Sequence, residues 1–296
     1  MIKKALVTGS TGFVGSNLVK RLIAEGWQVS IVVRSSSDLS VLEGNQEKVQ
    51  VFVYDGKIES LENAVANCKP DMVFHVASLF LSNHTGEQVN SLIQSNILFG
   101  THLLEVMVKH NVFNFINTST SWEHYENQGY SPVNLYAATK RAFQDIMQFY
   151  VEAKGIRAIT LKLFDTYGSN DPRPKLLNLL MGLAESGETL AMSPGEQKID
   201  LVHVDDVVNA YCIAAKRLLD GKVQGYEIYG VGTDNPMSLK ELVALIEIET
   251  GKKLNIEWGR RPYREREVMH LWSMFSCLNG WAPEVKLIQA SKKLLK

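Results

Sequence analysis

Ala5-Leu6-Val7-Thr8-Gly9-Ser10-Thr11-Gly12-Phe13-Val14-Gly15-Ser16-Asn17 decides how this chain is read. Its first residues are a short apolar run, as expected of a strand buried in a parallel sheet. Glycines follow at 9, 12 and 15, and Leu18, Val19, Leu22 and Ile23 then recur at helical spacing. A strand, a glycine turn and a helix in that order make a phosphate cradle. The glycines let the backbone turn sharply and approach a pyrophosphate. The helix N-terminus offers that group unpaired N–H donors and a positive dipole end. Gly9, Thr11, Gly12, Phe13, Val14 and Gly15 are therefore the expected dinucleotide contacts. The spacing G-x-x-G-x-x-G is one residue wider at its first step than the G-x-G-x-x-G fingerprint.

The rest of the chain is compatible with that start. Its 296 residues suffice for one large α/β domain or a main domain with a smaller one. A net charge of −1 gives no argument for nucleic acid or an anionic membrane as a partner. No apolar run reaches the roughly 18 residues of a membrane span. Met1-Ile2-Lys3-Lys4 begins like a signal peptide, but the glycine turn cuts the apolar run short. Three widely spaced cysteines fit a reducing cytoplasm. They form no metal-ligand pattern, and no histidine pair has zinc spacing, so no metal site is expected.

Val29 to Val33 is the second strand, and Arg34-Ser35-Ser36-Ser37 ends it. In a dinucleotide fold an acid at this point holds the 2′-hydroxyl of NAD and repels the 2′-phosphate of NADP. The chain has Arg34 there instead, with Asp38 nearby, so NADP (as NADPH) is the expected cofactor and NAD the alternative. Val49 to Tyr54 reads as the third strand, closed by Asp55-Gly56, and Leu61, Val65 and Cys68 mark a short helix. Asp71 to Val76 is the fourth strand. It runs into Ala77-Ser78, small enough for the chain to pass close to a cofactor. His75 within it reads as a packed histidine. Ser91 to His110 reads as one long helix containing Asn96, which either bonds to a neighbouring strand or serves the cofactor.

Val112 to Asn117 is the fifth strand, and Thr118-Ser119-Thr120-Ser121 follows it. Ligands of open α/β sheets gather at such carboxyl ends, so these hydroxyls are candidates for cofactor and substrate. Trp122-Glu123-His124-Tyr125 is placed to wall a pocket, with His124 as a candidate acid. Next comes Tyr136-Ala137-Ala138-Thr139-Lys140, with Tyr and Lys on one helix face. The Lys140 ammonium is expected to favour the Tyr136 phenolate and lower its pKa. Tyr150 and Lys154 repeat the spacing fourteen residues on, about 21 Å along the same helix at ~1.5 Å per residue. Tyr136 is nearer the hydroxyl-rich strand end and is the reading adopted.

Ile156 to Leu163 is the sixth strand, and a helix resumes at Leu176. Asp205 and Asp206 read as N-cap residues of a later helix, and Ser238 and Glu241 as a capping box. Arg260-Arg261-Pro262-Tyr263-Arg264-Glu265-Arg266 is the densest basic run and a candidate pyrophosphate binder. An amphipathic helix is expected to end the chain.

Taken together, the chain resembles the extended short-chain dehydrogenases that act on nucleotide sugars, the epimerase/dehydratase family. The likeness runs nearly the full length. It rests on the glycine turn, Thr118 to Thr120, Tyr136 with Lys140, Leu163 to Gly168, Asp200 to Val207 and Gly280 to Pro283. The resemblance implies an α/β fold: a Rossmann-type doubly wound parallel sheet with a smaller C-terminal substrate-binding part. Residues 1–166 would form the dinucleotide-binding domain and 167–296 mainly the substrate region, with 198–220 returning to the core. Thr120, Tyr136 and Lys140 would be catalytic, with Ser119 the rival hydroxyl. Asp55, Gly56, Ala77, Ser78, Asn96, Ser119, Tyr136 and Lys140 would join the glycine turn and Arg34 at the cofactor. Ser121, Trp122, His124 and Arg260 would meet the substrate. The family has Arg and Asn where this chain has Lys162 and Asp165, which leaves Asp165 as an extra acid.

Within the family the chain is similar to NADPH-dependent reductases of nucleotide-linked 4-keto-6-deoxyhexoses, such as CDP-abequose and CDP-paratose synthases. The alternatives are an NAD-dependent 4-epimerase, a reductase of another ketone, and a non-catalytic NADP-binding sensor. The 4,6-dehydratases add an Asp-Glu pair after the Thr, where this chain has Ser121-Trp122. A nucleotide-sugar substrate, a homodimer and a cytoplasmic location are expected, with neither nucleic acid nor membrane as partner.

Overall fold

The computed structural model describes residues 2–171, 173 and 175–287. The chain starts with β1 (Lys4–Thr8), α1 (Phe13–Ala24), β2 (Gln28–Val33), β3 (Val49–Val53), α2 (Ile58–Cys68) and β4 (Met72–His75). It continues with α3 (Val89–Ile93), α4 (Phe99–Lys109), β5 (Asn114–Thr120), α5 (Leu135–Lys154), β6 (Arg157–Leu163) and β7 (Asp165–Tyr167). Then come α6 (Leu176–Ser186), β8 (Thr189–Ala191), β9 (Lys198–Ile199), β10 (Leu201–His203) and α7 (Val204–Leu219). The last elements are β11 (Tyr226–Val231), β12 (Met237–Ser238), α8 (Leu239–Thr250) and β13 (Asn255–Glu257).

Seven parallel strands form the main sheet in the order β11-β6-β5-β4-β1-β2-β3. The order reverses direction beside β1, which opens the ligand crevice at the carboxyl ends of β1 and β4. The central strands are apolar on both faces because helices cover both. One core cluster joins Val7, Ile31 and Phe74 to Leu18 of α1 and Tyr211 of α7. The other joins Leu6, Val73 and Phe115 to Leu61 of α2, Leu103 of α4 and Phe143 of α5. A third, smaller cluster packs α6 against α8 with Leu254, clear of the main sheet. Among the described residues no helix is long and apolar enough to cross a membrane.

Three local features differ from the sequence reading. The long helix expected over 91–110 is interrupted by a π-helical turn at Gln94–Leu98. That turn holds the residue by which the Asn96-to-Gly100 spacing exceeds the pattern of the similar family. The helix α7 is capped by His203, whose Nδ1 accepts from Asp205 N at 3.2 Å, rather than by Asp205 or Asp206. The Asp206 carboxylate instead accepts from Glu284 N and Val285 N at 3.0 and 3.1 Å. The return to the sheet extends past residue 220: β11 is its edge strand, and Trp272, Leu278 and Trp281 close the cluster under α7. Trp281 Nε1 donates to Asp206 O at 2.8 Å. The C-terminal amphipathic helix expected from the sequence lies outside the described residues.

Candidate active site

A cavity of about 950 Å3 runs along the carboxyl ends of the central strands. At one end is the glycine turn. Gly9 has a φ of +70°, and a Cβ on it would stand 2.5 Å from Ala77 N. A Cβ on Gly15 would collide with the Gly9 carbonyl. The turn therefore packs directly on the end of β4 and on its own helix. Gly12 is the N-cap of α1 and supplies no side-chain cap, and the first turn carries no acid. The free N–H groups at that end, with Gly9, Thr11, Gly12, Phe13, Val14 and Gly15 lining the cavity, suit a pyrophosphate.

Arg34 and Ser37 line the cavity where β2 ends, and Arg34 N donates to Ser37 Oγ at 3.1 Å. Asp38 does not line it. Its carboxylate takes Ser40 N and Ser40 Oγ at 2.8 and 2.7 Å. Asp55 and Gly56 line the cavity at the end of β3, and Ala77 and Ser78 beyond β4. Asn96 does not. It holds Leu79 at both backbone atoms, at 2.7 and 3.0 Å, and donates to Thr139 Oγ1 at 3.0 Å. It braces the loop after β4 against α5, the structural one of its two readings.

Tyr136 opens α5 just after the N-cap Asn134, whose Oδ1 accepts from Ala137 N at 3.0 Å. It faces Thr118, Ser119 and Thr120 across the cavity. Lys140, one helical turn later, is 1% exposed, and its Nζ has no hydrogen-bond partner among the described residues. Burial pushes the Tyr136 phenol up to about 12 and the Lys140 ammonium down to about 8. Lowering of Tyr136 by Lys140 was the sequence expectation. Burial dominates instead, followed by a lowering hydrogen bond from Ser78 and a raising charge on Glu123. Lys140 itself does not line the cavity; its unpartnered ammonium one helical turn from Tyr136 and a cradle that admits no Cβ both fit a bound dinucleotide.

The second Tyr–Lys pair lies elsewhere. Tyr150 is 6% exposed within the core and donates to Glu105 Oε2 at 2.8 Å.

The hydroxyls at the end of β5 differ in what they can still do. Thr118 Oγ1 shares a hydrogen bond of 2.5 Å with Tyr211 OH. Ser119 donates its proton to Glu123 Oε1 and accepts from Gln144 Nε2 at 3.1 Å. Thr120 Oγ1 accepts from Trp122 N at 3.2 Å, which leaves its own O–H for a ligand. Glu123 also pairs with Lys162 Nζ at 2.8 Å, and Gln144 Nε2 reaches its Oε1 at 2.5 Å. The sequence reading placed Glu123 only in a pocket-wall segment, with no ion pair, and did not single out Gln144. The only signal was Lys162 in place of an Arg, a cation needing a new partner.

Of the expected substrate contacts, Ser121 and Trp122 line the cavity and His124 and Arg260 do not. His124 turns away. Its Nδ1 faces Gln128 O at 2.9 Å and its Nε2 faces Lys162 Nζ at 2.8 Å. Its ring stacks on Trp272 at 4.0 Å. Burial, then the Lys162 charge, pushes its pKa down, so it is a neutral spacer rather than an acid. The side chain of Arg260 is 72% exposed, 3.6 Å from Glu257. From the same basic run it is Arg264 that lies 5.5 Å from the Trp122 ring. Phe80, Arg173 and Lys175, also unanticipated, complete the rim, with Phe80 edge-on to Tyr136 at 5.0 Å.

Residues 5–232 match the NAD dependent epimerase/dehydratase family. The chain belongs to that family. A CDP-abequose synthase of Salmonella muenchen is 29% identical over 99% of this chain and 97% of its own. A UDP-glucose 4-epimerase of Pisum sativum is 27% identical over 90% of this chain and 87% of its own. The crystal structure of a UDP-glucose 4-epimerase from Thermotoga maritima superposes with a TM-score of 0.86 at 24% identity. It covers 99% of this chain and 97% of that one, and so shares the fold. As a family member the protein is an NAD(P)-dependent enzyme with a Rossmann sheet.

Proposed function

We propose that the protein reduces the C4 ketone of a nucleotide-linked 4-keto-6-deoxyhexose, with NADPH as cofactor. One observation carries this reading: Tyr136 and the uncommitted hydroxyl of Thr120 line one cavity with Arg34. The bound dinucleotide supplies the hydride. Thr120 donates a hydrogen bond to the carbonyl oxygen and orients it. The Tyr136 hydroxyl gives that oxygen its proton, and the Lys140 ammonium offsets the phenolate left behind. Arg34 holds a 2′-phosphate by a charge-assisted contact. The full-length likeness to a CDP-abequose synthase agrees with a deoxysugar nucleotide as substrate.

The competing reading is 4-epimerisation, supported by the Pisum sativum relative. The two separate in one assay with two readouts. The purified protein is offered nucleotide 4-keto-6-deoxy sugars with NADPH and, in parallel, UDP-hexoses without added cofactor, with nicotinamide absorbance followed and the product's C4 configuration read by NMR. Stoichiometric NADPH oxidation with C4 reduction is expected. Conversion of a UDP-hexose to its C4 epimer, with no added cofactor and no net change in nicotinamide absorbance, overturns the reductase reading.

A further inference from the structure

Phe80 lines the active-site cavity and is 45% exposed, a large apolar side chain left open beside the proton donor. Its ring meets Tyr136 edge-on at 5.0 Å and lies 5.6 Å from the Trp122 ring at a tilt of 59°. Both neighbours line the same cavity. Lys175 Nζ stands 5.1 Å from the centre of the Phe80 ring, and the Arg264 guanidinium 5.5 Å from that of Trp122. A cation at such a distance is attracted to the face of the ring.

The loop that carries Phe80 is tied down on both sides of it. Asn96 holds Leu79 at both backbone atoms, at 2.7 and 3.0 Å. Asn134 Nδ2 donates to Leu81 O at 3.2 Å and to Ser82 O at 2.9 Å. Asn134 is also the N-cap of α5, whose second residue is Tyr136. One side chain thus joins the Phe80 loop to the helix start that presents the proton donor. An apolar ring held at a cavity wall, rather than folded into the core, gains its burial only when a ligand covers it.

On the reductase reading, Tyr136 and Thr120 both address the oxygen on C4 of the sugar. Groups one or two bonds from C4 then lie against the rings beside Tyr136, and C6, carried by C5, is such a group. Resting on that reading, we infer that Phe80, with Trp122, determines specificity at C6: the two rings take a methyl group and reject a hydroxymethyl group. A methyl group gains by leaving water for an aromatic wall. A hydroxymethyl group brings a hydroxyl that must give up its hydrogen bonds to water, and aromatic faces return little of that. The selection falls on a carbon that takes no part in the reaction.

Isothermal titration of the full chain, saturated with NADPH, tests this with glucose against 6-deoxyglucose. Each sugar is offered as its cytidine, uridine, thymidine, guanosine and adenosine diphosphate derivative. Both already carry an alcohol at C4, so bound NADPH cannot react with them, and comparison within a pair cancels the base. In every pair that binds, the 6-deoxy sugar should bind ~10–100-fold tighter. Phe80→Ser should bring the pair within about threefold, mainly by weakening the 6-deoxy sugar, whereas Phe80→Leu should keep the order. NADPH binding to each variant reports that the fold is intact. Should Phe80→Ser fail to fold, the ratios in the parent protein and in Phe80→Leu still decide. Equal affinities within the pairs, or a tighter 6-hydroxy sugar with Lys175 serving its hydroxyl, overturn the inference. A preference that survives Phe80→Ser unchanged overturns the role of Phe80. Equal affinities with discrimination against a 3-deoxy analogue instead put the wall at C3 and overturn the choice of C6. None of these outcomes bears on C4 reduction, which NADPH consumption decides separately. Binding of NADPH with no member of any pair overturns the nucleotide-sugar reading itself, and this inference with it.

Discussion

Glu123 and Lys162 pair at 2.8 Å beneath the active site, with side-chain exposures of 0% and 2%. The carboxylate takes the proton of Ser119 and the amide of Gln144, and the ammonium also meets His124 Nε2 at 2.8 Å. Charges this deep stay in place as a unit, because removing one leaves the other buried and uncompensated. Glu123→Gln or Lys162→Met alone should destabilise the protein by about 3–5 kcal/mol. The double variant should recover a large part of that loss. Urea unfolding of the three variants is the check, and strictly additive losses would show that the two residues do not act as a unit.

Lys140 gives a second expectation, in alkali. Burial lowers its pKa from 10.5 to about 8. Between those values the unfolded chain binds a proton that the folded chain does not, so stability rises with pH across that window. Below it the full cost of burying the ammonium is present. Lys140→Met should therefore raise the melting temperature near neutral pH and remove the rise above about 8. The same change should abolish turnover. Thermal melts of both proteins from neutral pH upward, without added cofactor, measure the effect.

At the ribose end, Arg34 is exposed and free to meet a phosphate, while Asp38 is engaged by Ser40. The parent protein should bind NADPH more tightly than NADH. Arg34→Ala should lose roughly 1–3 kcal/mol of that preference, the range of a charge-assisted hydrogen bond. Fluorescence titration with both cofactors tests it, and equal affinities in the parent would defeat the assignment.

The two Tyr–Lys pairs should separate cleanly. Tyr136→Phe should suppress turnover and leave dinucleotide affinity nearly unchanged. Tyr150→Phe loses only a hydrogen bond to Glu105, so it should cost about 1 kcal/mol of stability and little activity. Full activity in the first variant with loss in the second would reverse the choice.

The sheet was legible in the sequence because β1, β2, β4 and β6 are largely apolar runs, and because glycine follows β1 and hydroxyls close β5. The glycine turn was legible too, since only glycine meets its steric demands at positions 9 and 15. What escaped the reading depends on tertiary contacts. No local pattern announces that Glu123 turns inward while Arg260 turns out, because charged side chains go where a distant partner waits. Trp272 is such a partner. It lies over a hundred residues beyond His124 and captures its ring from the far side of the cavity wall. The π-helical turn was visible only as an odd spacing around Asn96, with nothing to say how the helix would absorb it.

The late closure of the first core cluster bears on how the protein is made. By the time β11 ends at Val231 every strand of the main sheet has been synthesised, yet Trp272, Leu278 and Trp281 are still missing from the cluster. At translation rates of ~5–20 residues per second, roughly 3–10 s pass before Trp281 follows Val231. During that interval α1 and α7 already cover this face, and only the part of the cluster beside Phe164 waits for Trp272. Residues 272–281 are thus the last layer of this cluster to be made, and a chain ending just past β11 would lack three of its large side chains.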